Sequence, residues 1–165
     1  MDALPKEFRD PLVTLRDMDW VGVKTIRSEY TRLSRGPTNQ LSPDPPYESL
    51  YRENTIYGST TTNTRKSYLQ TGLDLTDEED REPLDLLGIE LQFLGELRSR
   101  EAEGDEESRP QLQAFLEEHV AHWFDDFEAA IQENEPHEFS EAIVRLTGAL
   151  LGNEAVRLDV DWQRG

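Results

Sequence analysis

The sequence predicts an all-α fold: one helical-bundle domain over 1–165, with four to six helices and a long Pro-rich loop at 37–63. Three observations lead there. Apolar residues recur at three- and four-residue steps along most of the chain, no run alternates as a half-buried strand does, and Gly or Pro closes the periodic stretches. At 165 residues the chain has the length of one compact domain, enough to bury about two-thirds of the surface its unfolded form exposes.

The start, MDALPKEFRD, is short and proline-interrupted, and lacks the basic-then-apolar order of a secretory signal. Val23, Ile26, Tyr30 and Leu33 then line one face of a helix that Gly36 and Pro37 stop. Residues 37–63 are rich in Pro, Ser, Thr and Asn and carry no sustained helical period, so they read as a loop. Loops of that length are uncommon in a compact domain unless they serve a function. A weak helix is expected over 64–70, ending at Gly72, and a strong one starts at Pro83. Its stripe is Leu84, Leu87, Leu91 and Leu94, and Ile89, Phe93 and Leu97 widen the apolar arc beyond that of a surface helix, which places it at the centre of the core. The charged stretch 100–109, with Gly104, reads as a solvated connector. Ser108 and Pro110 provide a cap and an early proline for the longest helix, whose broad face carries Leu112, Phe115, Leu116, Val120, Trp123, Phe127 and Ile131. Pro136 breaks it, and Phe139, Ile143, Leu146 and Leu150 mark a last helix ending near Gly152.

Composition narrows the function. Thirty-five acidic against 17 basic residues give a net charge of -18, which argues against a nucleic-acid partner because nothing neutralises phosphates. With mean hydropathy of -0.75 and only Lys6, Lys24 and Lys66 as lysines, the composition is that expected of a high-salt cytoplasm, such as that of a halophilic archaeon. Cysteine is absent, which removes disulfides, thiolate nucleophiles and cysteine-ligated metals. No stretch approaches the roughly 20 apolar residues that span a bilayer, so no stable membrane insertion is expected and the chain reads as soluble and cytoplasmic.

Bulky residues outside the helical pattern are the candidate binding groups. In PPYESLY (45–51), Pro45 and Pro46 hold the backbone extended, and Tyr47 and Tyr51 either offer a platform to a peptide or fold down as a cover. Gly58 permits a turn. Asp85 in a first helical turn is favoured by the exposed amides alone, and Glu90 is either solvated or a partner for an incoming arginine. His119 and His122 stand one turn apart with Glu118, Asp125 and Asp126 nearby, which keeps open a metal-assisted hydrolase. Packing of His119 beside Trp123 is the simpler use of that histidine.

Taken in order, EYTRLSRGP (29–37), PPYESLY (45–51), EPLDLLGIELQFL (82–94) and FLEEHVAHWFDDF (115–127) resemble the TorD/DmsD/NarJ group of redox-enzyme maturation chaperones over most of the chain. Leu33, Gly36 and Pro37, followed by Pro45, Pro46, Tyr47, Ser49 and Tyr51, match that group's helix end and aromatic loop, with Ser34 where a phenylalanine is usual. Glu82, Pro83 and Asp85 match the opening of its central helix, Leu86 stands where it has a histidine, and His119 with Trp123 matches its His-x-x-x-Trp step. The resemblance implies a helical cytoplasmic chaperone with no catalytic residue, metal or cofactor of its own. Its partners would be the catalytic subunit of a molybdopterin oxidoreductase, of dimethyl-sulfoxide-reductase or nitrate-reductase type, and that subunit's twin-arginine leader. The implied peptide-binding set is Pro46, Tyr47, Ser49, Tyr51, Gly58, Asp85, Leu86 and Glu90, supported by His119 and Trp123. A structural assembly adaptor is the alternative. Members of the group usually begin with more helical sequence upstream, so completing the core by pairing with a second copy is also open.

Overall fold

The structure is a computed structural model that describes residues 4–19, 22–34, 43–73 and 83–162. Among these the regular structure is helical, in the order α1 (Lys6–Asp17), α2 (Val23–Ser34), α3 (Glu48–Glu53), α4 (Ser59–Gln70), α5 (Leu87–Ala102), α6 (Ser108–Glu118), a 3-10 turn (Val120–His122), α7 (Phe124–Glu133) and α8 (Glu138–Leu158). The only extended pairing among the described residues is one isolated antiparallel bridge between Tyr47 and Leu86. The all-α expectation therefore holds. Packing divides the chain into two compact units, Met1–Pro45 with Asp125–Glu154, and Pro46–Phe124 with Ala155–Gly165.

In the first unit, α2 meets the turn between α7 and α8 through one carboxylate. Glu29 receives two hydrogen bonds from Arg32, at 3.0 Å each, and one from the backbone N–H of His137 at 2.7 Å. Arg32 also donates to the Asn134 carbonyl at 3.1 Å. Leu33 is buried as the α2 period predicts, but Val23 and Tyr30 are exposed. The period of α8 is likewise offset. Ile143 and Leu150 are exposed, whereas Ala142, Ala149 and Leu151 are buried. The buried stripe is built largely of small residues, and a pattern search weighted to large apolar side chains passes over it.

In the second unit, α5 and α6 form a helical hairpin. Gly104 turns it at φ +99°, a conformation open to a residue without Cβ, and Asp105 accepts from Ser108 Oγ at 2.7 Å and from the Glu107 N–H at 3.1 Å. Ser108 is thus the first residue of α6 rather than its cap. Leu97, Leu112 and Leu116 lie at the hairpin's centre with no exposed surface. Around them Tyr68, Phe93 and Phe115 form an aromatic cluster with centroids 4.6–5.6 Å apart. Glu101 receives a pair of 2.8 Å bonds from Arg157 and a 3.2 Å bond from Arg109, so the stretch read as a solvated connector holds the end of α8.

Four further expectations are corrected. The 37–63 loop contains α3 and the start of α4, while 37–42 lies outside the described residues. The weak helix placed at 64–70 begins at Ser59, and the strong one begins at Leu87 instead of Pro83 because Pro83 to Leu86 form a turn and the bridge. The longest predicted helix is two, divided at His119, whose φ of -116° and ψ of -83° leave helical geometry. Its predicted apolar face is nevertheless buried throughout, from Leu112 to Ile131.

Leu97→Ala is expected to destabilise the chain by about 2–5 kcal/mol, the range for removing a buried leucine, read by urea denaturation. A loss well below that range would mean that the α5–α6 hairpin relaxes into the space.

Candidate functional site

Two segments far apart in sequence build the candidate site, and all its residues lie in the second unit. Each enters its helix from extended backbone. The Pro46 carbonyl accepts from the Leu87 N–H at 2.9 Å, the Asp85 carbonyl accepts from the Glu48 N–H at 2.9 Å, and Tyr47 bridges Leu86 between them. Proline keeps the residue before it out of the helical region, so Pro45 and Pro46 hold this stretch extended up to the first turn of α3. PPYESLY and PLDLL, read from sequence as two parts of one surface, are thus bonded to each other.

The pairing also supplies a cap that α3 lacks. Tyr47 stands at its N-cap and offers no side-chain cap bond, whereas Asp85 Oδ2 accepts from the Ser49 N–H at 2.7 Å. Asp85 is fully buried, on the turn before α5 rather than in its first turn, and its Oδ1 and Ser49 Oγ are without a hydrogen-bond partner. Such orphan atoms are uncommon in a folded interior.

Glu48 is the centre of the polar network. It has no exposed surface, and its Oε2 lies 2.9 Å from His119 Nδ1 and 3.1 Å from Thr64 Oγ1, while Arg52 donates to Oε1. Burial by itself would raise this carboxyl, but the bonds and charge of His119, then of Arg52, outweigh it and hold the group below the usual carboxylate range. Glu90, one turn into α5, is also fully buried. Burial first, then the neighbouring Glu48 charge, pushes its carboxyl well above that range. Glu48 therefore carries the charge and Glu90 keeps its proton.

His119 closes α6 and crosses to two other helices. Besides Glu48, its ring meets Ser67 Oγ at 3.2 Å through Nε2 and stacks on Phe115 with centroids 4.6 Å apart. A donor role toward Glu48 puts the hydrogen on Nδ1. His122 is exposed on the 3-10 turn, and among the described residues no three ligating side chains converge as a metal site would need. The two-histidine centre considered from sequence is not assembled.

The remaining predicted residues divide by burial. Pro46, Tyr47, Tyr51 and Leu86 are half-buried, whereas Ser49, Asp85, Glu90, His119 and Trp123 are buried. Tyr51 packs on Trp123 at 5.4 Å, the cover arrangement rather than a free platform. Gly58 serves a close approach and not a left-handed turn, since its φ is -80°. A Cβ there would collide with Glu53 Oε2. Glu53 caps α4, accepting from the Ser59 N–H at 3.0 Å, the Thr60 N–H at 2.8 Å and both hydroxyls, and these bonds pull its carboxyl down to about 2. Ile56 and Tyr57 were not among the predicted residues. Tyr57 is 70% exposed at φ +62°, one of two left-handed residues, with Asn54, between α3 and α4. A bulky residue in that region is an outlier often associated with function, and its one sequence signal is an aromatic side chain before Gly58.

A family model described as nitrate reductase delta subunit matches residues 2–129. The chain is also similar to the chaperone protein TorD of Aeromonas salmonicida (strain A449), at 30% identity over 115 residues, 67% of this chain and 51% of that protein. It thus spans about half the length of the curated relative it matches. No helix among the described residues is long and apolar enough to cross a membrane.

Gly58→Ala is expected to displace Glu53 and uncap α4, read as faster hydrogen exchange in its first turn; unchanged exchange would mean that the carboxylate moves aside and still caps. Native Glu90 holds a proton that the unfolded chain releases above about pH 4, so raising the pH through that window favours unfolding. Glu48 acts in the opposite direction, since its contribution is present above the ordinary carboxylate range and is lost as the pH falls. Glu90→Gln should therefore flatten the decline of stability as the pH rises above the ordinary carboxylate range in urea denaturation, and an unaltered slope would show that Glu90 is already ionised.

Proposed function

Because the chain belongs to the nitrate reductase delta subunit family, we propose that it is a non-enzymatic maturation chaperone for a molybdopterin oxidoreductase. It acts in the cytoplasm, holding the twin-arginine leader or the unfinished catalytic subunit until the cofactor is inserted. Similarity to a TorD chaperone supports this reading.

The observation that carries the placement is the joint between the two segments. Pro46, Tyr47, Tyr51 and Leu86 are half-buried around the Tyr47–Leu86 bridge and its flanks, and in the buried turn next to that bridge Asp85 Oδ1 is an acceptor without a donor. A leader presents adjacent cations followed by an apolar stretch. Its guanidinium has the planar donors that a carboxylate accepts best, and its apolar part suits the tyrosine faces. Asp85 is buried in the free chain, so this contact requires part of the cover to move and binding is coupled to opening of the joint. Ser49, Glu90, His119 and Trp123 then position the site from below, and Gly58 acts at a distance by keeping the α4 cap.

A pull-down from the native host at its own salt concentration, with mass spectrometry of bound proteins, is expected to recover a molybdopterin catalytic subunit that retains its leader. Recovery of only the mature subunit would favour an assembly adaptor. Tyr47→Ala is expected to weaken leader binding about tenfold, a typical loss of roughly 1.4 kcal/mol for an aromatic anchor, with helix content retained. Full affinity in both Tyr47→Ala and Tyr51→Ala would remove the peptide from this joint.

A further inference from the structure

The second unit holds a hollow of about 380 Å³ that the joint does not use, walled by α3, α4 and the end of α6. Small-molecule sites occupy roughly 300–1,000 Å³ and are mostly apolar. This one is polar. Asn63, Lys66, Ser67 and Gln70 are spaced to fall on one face of α4, and Arg52 and Glu118 complete the wall.

A polar helical face is ordinarily just solvated. Two features set this one apart. The first is charge. In a chain of net charge -18 with three lysines, one of those lysines lines the same concavity as an arginine, and Lys66 has no ion-pair partner among the described residues. Both hydrogen bonds of Arg52, to Glu48 and to the Glu118 carbonyl, leave from Nη1, so its other nitrogens keep donors for a ligand. The second is the state of the acidic wall. The Glu53 oxygens are committed to the first turn of α4, so that carboxylate offers a ligand no free acceptor, and its charge and that of Glu118 oppose the two cations. Buried His119 backs the hollow through Ser67.

We infer that this hollow binds a small polar molecule through an oxyanion, a phosphate or a carboxylate, held between Arg52 and Lys66 with α4 side chains bonding its remaining polar atoms. The site is separate from the leader-binding joint and does not depend on the chaperone reading.

The test is titration of the full chain with inorganic pyrophosphate and, separately, with citrate, by calorimetry and by the NMR signals of the His119 ring. Saturable one-to-one binding is expected for at least one probe, with a shift at His119. Preference for pyrophosphate assigns a phosphate ligand, preference for citrate a carboxylate, and equal binding supports oxyanion recognition generally. Lys66→Met should weaken binding about tenfold, on the scale of one lost charge-assisted contact, and Glu118→Gln should tighten it. Lys66 is exposed, so its substitution should leave the fold intact, checked by circular dichroism. Failure of both probes to saturate, or binding that Lys66→Met leaves unchanged, would overturn the inference.

Discussion

The second unit depends on keeping one charged carboxylate, Glu48, out of water. An ionised carboxylate in an apolar interior costs several kcal/mol unless it is paired and hydrogen-bonded. Here the partners come from three directions: Arg52 one turn along α3, Thr64 from α4, and His119 from the end of α6. Each must stand within about 3 Å of the same group for the arrangement to hold. Meeting that demand fixes how α3, α4 and α6 approach one another. It also accounts for the break at His119, because a ring that must reach Glu48 and Ser67 while stacking on Phe115 cannot continue α6 into α7 in regular geometry.

The second consequence falls on the short helices. Six residues do not make a stable helix by propensity, and α3 forms because its amides are satisfied from elsewhere in the chain. Asp85 caps it from the turn before α5, and Glu53, at its far end, caps α4 in turn. The chain Asp85, α3, Glu53, α4 is a relay in which each acidic side chain starts the next helix. Glu90 sits beside this relay with its carboxyl pushed well above the usual range, by burial first and then by the Glu48 charge. The cost is strain in the polar accounting: Asp85 Oδ1 and Ser49 Oγ are orphaned. Where an interior leaves acceptors unused, a ligand or a moving cover is a reasonable physical use for them.

On the chaperone reading this architecture suits a protein that must hold and then release its client. The joint of Pro46, Tyr47 and Leu86 rests on a few backbone bonds and a half-buried cover rather than on deep packing. Elements of that kind open at lower free energy than a core such as the α5–α6 hairpin. The aromatic cluster and the Glu101 arginine contacts lie outside the joint and keep the rest of the unit in place.

Helical class and the apolar faces of α5, α6 and α7 were legible in the residues themselves, whereas those of α2 and α8 were not. The period from Leu112 to Ile131 marked buried positions correctly, because a 3.6-residue repeat records which side of a helix faces a core. The motif order was legible as well, and it identified the family. What could not be read was the environment of each polar group. Asp85, Glu48 and Glu90 look alike in sequence, as carboxylates near helix starts, yet one is a cap, one a buried anion and one a neutral acid. The part of that loop that became α3 was misjudged for the same reason, since its cap, Asp85, lies outside any local window. A side chain's period is a local property carried by its neighbours in the chain. Its solvation and charge are set by groups dozens of residues away, and only the tertiary structure brings those groups within hydrogen-bond distance.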